Sequence, residues 1–286
     1  MTGSVSSGAR LRTSGEFVNN TTTQTTPGPL LAIGGAEDKF RDRVILRRFT
    51  ELAGGDNARI AIVPTASAID DAGQRYKGIF LELGAASAEV LYVGAREDAD
   101  QDELVELMAQ STGVFMTGGN QIRVASVLGG TRLAQTLINI HRQGVPVAGT
   151  SAGASVMSTV MVAGGRSGTT PRPQQAAMSP GLGLIDQVII DQHFRERDRV
   201  GRLVTMVSYN PGLLGLGIDE DTAALIWPDG RMDVIGRSSV LIVDGSKMKS
   251  DIYATRGRHP LTISNVTIHF VAEGSSFDLN RRQVLC

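Results

Sequence analysis

Cysteine is almost missing from this chain. The one that occurs, Cys286, is the last of 286 residues, which excludes an intramolecular disulfide and leaves no thiolate set for a structural zinc cluster. A reducing, cytoplasmic compartment is the resulting expectation. An excess of charge is missing too. Lys and Arg total 28 against 29 Asp and Glu, so no overall field draws the protein to nucleic acid or to an anionic membrane, and neither is expected as a partner. No apolar run reaches the length of a signal peptide or a membrane span. Histidine is scarce: His141, His193, His259 and His269 are the four places where imidazole chemistry can sit.

What is present suits a soluble core. With 41% hydrophobic and 20% charged positions, the chain can bury one large domain or two tightly joined lobes. Residues 1–28, with Thr21-Thr22-Thr23 and Thr25-Thr26-Pro27, lack the apolar content that offsets ordering entropy and are expected to form a flexible leader. A single α/β hydrolytic domain is expected over 29–286. From Leu30 onward, short apolar runs alternate with amphipathic ones. Leu30 to Ile33, Ile60 to Val63, Val90 to Val93, Val114 to Met116 and Val145 to Ala148 read as buried parallel strands. Asp38 to Leu52, Ala72 to Leu83, Glu103 to Gln110 and Leu133 to Arg142 carry helical spacing between them. After Val188 to Ile190 the runs become closely spaced and β-like: Ala223 to Trp227, Met232 to Ile235, Val240 to Val243 and Val266 to Val271, with Asp229-Gly230 and Asp244-Gly245 as hairpin turn signals. The expected architecture is a doubly wound, mainly parallel sheet of the flavodoxin-like, glutamine-amidotransferase-like kind. A C-terminal antiparallel β extension, or a small β lobe, follows it.

Ligands of open α/β sheets sit beyond the carboxyl ends of the strands, so the segments that follow strands carry the functional information. Val145 to Ala148 runs into Gly149-Thr150-Ser151-Ala152-Gly153, a G-x-S-x-G sequence at a strand-to-helix turn. Such an elbow makes Ser151 a candidate nucleophile; the plain alternative is a serine N-cap. Gly118 and Gly119 follow another strand, and with the Ala152 amide they are candidates for an oxyanion hole. Of the four histidines, His193 follows the strand Val188 to Ile190 at the same edge and is the candidate base. Gly217 to Thr222 offers three acids to orient it; Glu220 is chosen, with Asp191 as a local rival. The order Ser, His, Glu departs from the Ser, Asp, His order of α/β-hydrolases and argues against that superfamily. Beside His193, Arg195, Arg197, Arg199 and Arg202 crowd one stretch of an expected helix. They are either a solvated, ion-paired face or a site for carboxylates, which guanidinium binds bidentately.

These blocks carry a resemblance. Gly34-Gly35-Ala36-Glu37-Asp38, Gly118-Gly119-Asn120-Gln121, Gly149 to Ala154, Asp191-Gln192-His193-Phe194 with Arg197, Arg199 and Arg202, and Gly217-Ile218-Asp219-Glu220 occur in order over most of the chain. The sequence resembles the cyanophycinases, in the serine peptidase group that also contains peptidase E, the α-aspartyl dipeptidase. The resemblance implies hydrolysis of cyanophycin, a poly-aspartate whose side chains carry arginine, to β-Asp-Arg dipeptides through an acyl-enzyme. It also implies the triad Ser151, His193 and Glu220, no metal or cofactor, and a homodimer. Gln121, Asp191, Gln192, Arg197, Arg199 and Arg202 are the implied substrate contacts. A dipeptidase for aspartyl or isoaspartyl peptides with the same triad, or a non-catalytic binding module, are the competing readings. A glutamine amidotransferase is excluded, because its nucleophile is a cysteine and Cys286 lies far from any elbow.

Overall fold

The computed structural model describes residues 25–69 and 71–285. Cys286 and residues 1–24 of the expected leader lie outside the described residues. Gly28, the leader's last residue, is buried and donates its amide to the His141 carbonyl at 2.8 Å.

The first half alternates β1 (Leu30–Ile33), α1 (Val44–Leu52), β2 (Arg59–Val63), α2 (Ala72–Glu82), β3 (Ser87–Val90), α3 (Asp102–Ala109), β4 (Gly113–Met116), α4 (Gln121–Leu128), α5 (Arg132–Arg142), β5 (Val147–Thr150) and the single turn α6 (Ala152–Ser155). Its five strands lie in the order β1-β5-β4-β2-β3, every pair parallel. Side chains alternate across the pleat. Leu31 and Ile33 of β1 join Phe49, Tyr76, Phe80 and Phe115 on the α1/α2 face. Leu30 and Ala32 meet Met116, Leu133 and Leu137 on the other. The aromatic cluster is tight, with the Tyr76 and Phe115 ring centroids 4.5 Å apart.

The second half contains β6 (Val160–Gly165), β7 (Ala176–Pro180), β8 (Val188–Gln192), α7 (Val200–Tyr209), β9 (Leu214–Ile218), β10 (Thr222–Ile226), β11 (Arg231–Gly236), β12 (Ser239–Asp244), β13 (Lys249–Ser250), β14 (Ile263–Ser264), β15 (Thr267–Ala272), β16 (Ser276–Asp278) and β17 (Gln283–Leu285). Both expected forms of the C-terminal region occur. β10, β11, β16 and β17 continue the main sheet antiparallel, making it nine-stranded. A separate four-stranded sheet, β15-β12-β9-β8, has one face against the main core. Its other face packs on Leu203, Val204, Met206 and Val207 of α7.

Several expectations shift for local reasons. The helix expected from Asp38 begins at Val44, because the Asp38 carboxylate accepts the amides of Phe40, Arg41 and Arg43, each at 3.0 Å, and holds a loop there. The strand expected from Val145 begins at Val147, after Pro146, which has no N–H to give a ladder. The strand expected at Val90 to Val93 ends at Val90, starting at Ser87. Asp229-Gly230 does join a hairpin, β10 to β11. Asp244-Gly245 does not: β12 pairs with β9 and β15, while the Asp244 carboxylate accepts from Arg282 and from the Ser246 amide. The stretch after His193 is a series of turns, with helix only from Val200, because His193 and Asp198 both adopt left-handed backbone angles, φ 47° and 48°.

Candidate active site

Strand register assembles the site. β1 and β5 run parallel with Ile33 beside Thr150, and β4 sets Met116 beside Gly149. Gly34-Gly35, Ser151 and Gly118-Gly119 therefore leave the sheet at one edge. β10 runs antiparallel to β1 with Ala223 beside Ile33, so Asp219 to Asp221 enter at that same edge. In the second sheet Gln192 lies beside Ile218, which brings His193 next to the same acids.

Ser151 stands at φ 53° and ψ −110°, outside both the helical and the extended regions, and makes no cap hydrogen bond with its side chain. A serine N-cap takes extended angles and bonds the next turn, so the N-cap alternative does not describe this residue. The turn is tight: a Cβ on Gly153 would come within 2.8 Å of the Met116 carbonyl carbon. Ser151 Oγ lies 2.9 Å from His193 Nε2, and His193 Nδ1 lies 2.6 Å from Glu220 Oε1. Glu220 is the one of its three neighbouring acids that faces the ring. Asp219 accepts from Ser238, Ser239 and the Arg195 amide, and Asp221 pairs with Arg237 and the Asp38 amide. Burial lowers the His193 pKa below the usual 6.5; contact with Glu220 raises it in part, and the Arg197 and Arg199 charges lower it further. The ring is held neutral, as a proton acceptor must be.

The other histidines serve elsewhere. His141 is buried near the Val145 carbonyl, and His269 stands edge-on to Phe277. His259 is exposed in a loop.

The amides of Gly118, Gly119 and Ala152 donate to no protein acceptor among the described residues. Gly118 lies against the serine, a Cβ there being 3.3 Å from Ser151 Cβ. Backbone N–H groups left open beside a serine hydroxyl are what an oxyanion requires.

A cleft of about 570 Å³ opens over Ser151 and His193. Gln121, Gln192, Arg197, Arg199 and Arg202 line it, but not all with free groups. Arg197 is exposed and in no ion pair among the described residues. Gln121 spends its amide on the Val162 carbonyl at 2.8 Å. Asp191 lies beneath the cleft, fully buried, its carboxylate occupied by a bidentate Arg202 and by Arg199. Arg199 also donates to the Gln192 side chain at 2.8 Å; burial brings its pKa down to about 10, so the charge persists at neutral pH.

Glu37, within the Gly34 to Asp38 block, carries no chemistry that its sequence context reveals. It is 3% exposed, accepts from Thr150 Oγ1 at 2.6 Å and from the Tyr76 hydroxyl, and pairs with Lys39 at 2.9 Å. It thereby ties the residue before Ser151 to β1 and α2. Asp71, also unassigned, is an exposed carboxylate on the cleft wall. Among the described residues no group of three or more His, Cys, Asp or Glu side chains is arranged to hold a metal ion.

An imidazole that meets a strained serine on one nitrogen and a carboxylate on the other, at the edge of an α/β sheet, defines a serine-type hydrolase by roles and geometry. The chain belongs to Peptidase family S51, whose model matches residues 30–235. It is similar to a cyanophycinase of Nostoc sp., with 43% identity over 267 residues covering 92% of this chain and 90% of that protein. It is also 41% identical to a cyanophycinase of Synechococcus elongatus over 260 residues, 90% of this chain and 81% of that one. A crystal structure of a peptidase from an acI-B1 actinobacterium shares the fold, with a TM-score of 0.61 and 22% identity over 85% of this chain and 98% of that one.

Proposed function

We propose that this chain is an exopeptidase that hydrolyses cyanophycin to β-Asp-Arg dipeptides, with Ser151, His193 and Glu220 as its triad. The observation that carries the triad is the unbroken contact from Ser151 Oγ through His193 to Glu220 Oε1. The similarity to proteins named cyanophycinase supports the substrate. Ser151 Oγ attacks the scissile carbonyl and His193 Nε2 takes its proton. The anionic oxygen is met by the amides of Gly118, Gly119 and Ala152. His193 returns the proton to the leaving amine, and a water activated by the same imidazole frees the acyl group. Glu220 fixes the tautomer that leaves Nε2 unprotonated.

Each substrate unit carries a free α-carboxylate and a guanidinium. Arg197, exposed and in no ion pair among the described residues, is a cation available for the carboxylate, with Arg199 and Arg202 behind it, and Gln121 and Gln192 complete the wall. Asp191 acts by holding those two arginines, and Asp71 is the acid left to meet a substrate guanidinium. The same reading makes 29–286 one hydrolytic unit, to which Gly28 is already bonded, and the working form a cytoplasmic homodimer. Exposed Ile268 and Phe270 on the edge strand β15 favour association.

The test is release of soluble dipeptide from purified cyanophycin. Wild type is expected to release it, and Ser151→Ala to lose activity by a factor of about 10⁴ or more while still binding the polymer. Cleavage of short α-aspartyl dipeptides alone, with the polymer left intact, would put the dipeptidase reading in its place.

A further inference from the structure

A second cleft, about 530 Å³, adjoins the first. Arg166, Arg172, Arg258 and Asp198 line it together with Gln174 and Gln175. Among the described residues none of these four charged side chains is in an ion pair, although Arg172 donates to the Arg258 carbonyl at 2.6 Å. Three cations around one concavity, with the single carboxylate of Asp198 and no ion pair among them, raise its potential and leave guanidinium groups open to an anion.

The cleft is built rather than accidental. Its floor is the loop between β6 and β7, pinned where the Gly168 amide donates to the Asp198 carbonyl at 2.7 Å and the Gly201 amide to the Gly168 carbonyl at 3.0 Å. Gln175 bonds the Arg172 amide at 3.0 Å and the Gly168 carbonyl at 3.2 Å, and the Leu261 amide reaches the Pro171 carbonyl at 2.9 Å.

The two clefts share a wall. Gly164 and Gly165 border the catalytic cleft, and the next residue, Arg166, borders the second. Arg197 and Arg199 border the catalytic cleft, while Asp198 between them, turned by its left-handed backbone, borders the second. Residues adjacent in the chain thus face the two clefts in turn, so a polymer held at Ser151 that extends past this wall meets the second cleft. Cations paired with a single acid match a unit that presents a carboxylate and a guanidinium together.

We propose that the Arg166, Arg172, Arg258 and Asp198 cleft is a distal subsite that binds a unit of the same polymer remote from the bond being cut, giving the enzyme a preference for long chains. The inference rests on the cyanophycin reading. Steady-state kinetics of wild type, R166A, R258A and the double variant would be measured on purified cyanophycin and on the two-unit fragment (β-Asp-Arg)₂, whose two units flank the single bond to be cut and leave none remote from it. The double variant is expected to raise KM for cyanophycin roughly tenfold or more, the effect of losing a charge-assisted hydrogen bond. Its kcat, and both constants on the fragment, should stay within about twofold of wild type. The charge-reversed pair R166E/R258E, checked for folding by thermal melt, should deepen the same loss. An unchanged KM for the polymer, or an equal loss on both substrates, would overturn the subsite while leaving the catalytic reading in place. Failure of wild type to cleave cyanophycin at all would remove both.

Discussion

At the scale of single residues, the protonation of His193 makes the sharpest claim. Its pKa is lowered by burial and by Arg197 and Arg199, and raised in part by Glu220. The base works only when neutral, so the acid limb of kcat/KM should fall below the ordinary imidazole value of 6.5. Arg197→Ala removes a cause of lowering and should shift that limb upward. Glu220→Gln removes a cause of raising and should shift it downward, with kcat down by about 10⁴ because the tautomer is no longer fixed. Profiles of kcat/KM against pH for the two variants check this, and limbs that move together would refute it. Arg197→Ala should also lower kcat/KM on cyanophycin by roughly ten- to a hundredfold, the effect of one charge-assisted contact. The sharp turn at Ser151 was legible in the sequence because strand, glycines and helix start coincide. His193 followed from the scarcity of histidine and its place after a strand. Glu37 could not be read: its partner Thr150 is 113 positions away, and only the β1–β5 register joins them.

At the scale of elements, the β1 turn sets the position of the base. Gly35 has φ +98°, and a Cβ there would fall 2.5 Å from His193 Nε2. The His193 amide in turn donates to the Gly34 carbonyl at 2.7 Å. Gly35→Ala should therefore displace the imidazole and lower kcat by about a hundredfold or more, while the backbone strain costs on the order of 1–3 kcal/mol of stability. Turnover and melting temperature of the purified variant measure the two effects. The alternation of apolar runs made most strands readable to within two or three residues. The misreadings lie where a side chain captures backbone groups, as Asp38 does ahead of α1. They also lie where left-handed residues interrupt a charged stretch that otherwise reads as a helix, as at 193 to 198.

At the scale of the whole molecule, two sheets must dock for the cleft to exist, and a buried ion cluster fixes the second sheet to its helix. Asp191 comes from β8 and Arg202 from α7, and both are almost completely buried. Asp191→Ala leaves two guanidinium groups without a counter-charge and should cost about 3–5 kcal/mol, lowering the melting temperature on the order of 10 °C. Activity should fall with it, since Arg199 loses its anchor. Replacing Asp191 and Arg202 together by apolar residues should cost less than Asp191→Ala alone, which a double-mutant cycle of unfolding free energies would show. The division of the C-terminal strands between two sheets was not legible, because alternation reports which strands have a buried face but not which neighbour each one chooses.

The arrangement of the triad across the two sheets also bears on the order of its synthesis. Ser151 comes first in the chain, His193 follows it by 42 residues and Glu220 by a further 27. A ribosome that has delivered the serine elbow has yet to make the imidazole that the proposed triad sets against it. The nascent chain therefore holds an inert hydroxyl until the β9–β10 connection has emerged and folded back, so the enzyme's own synthesis delays its first turnover.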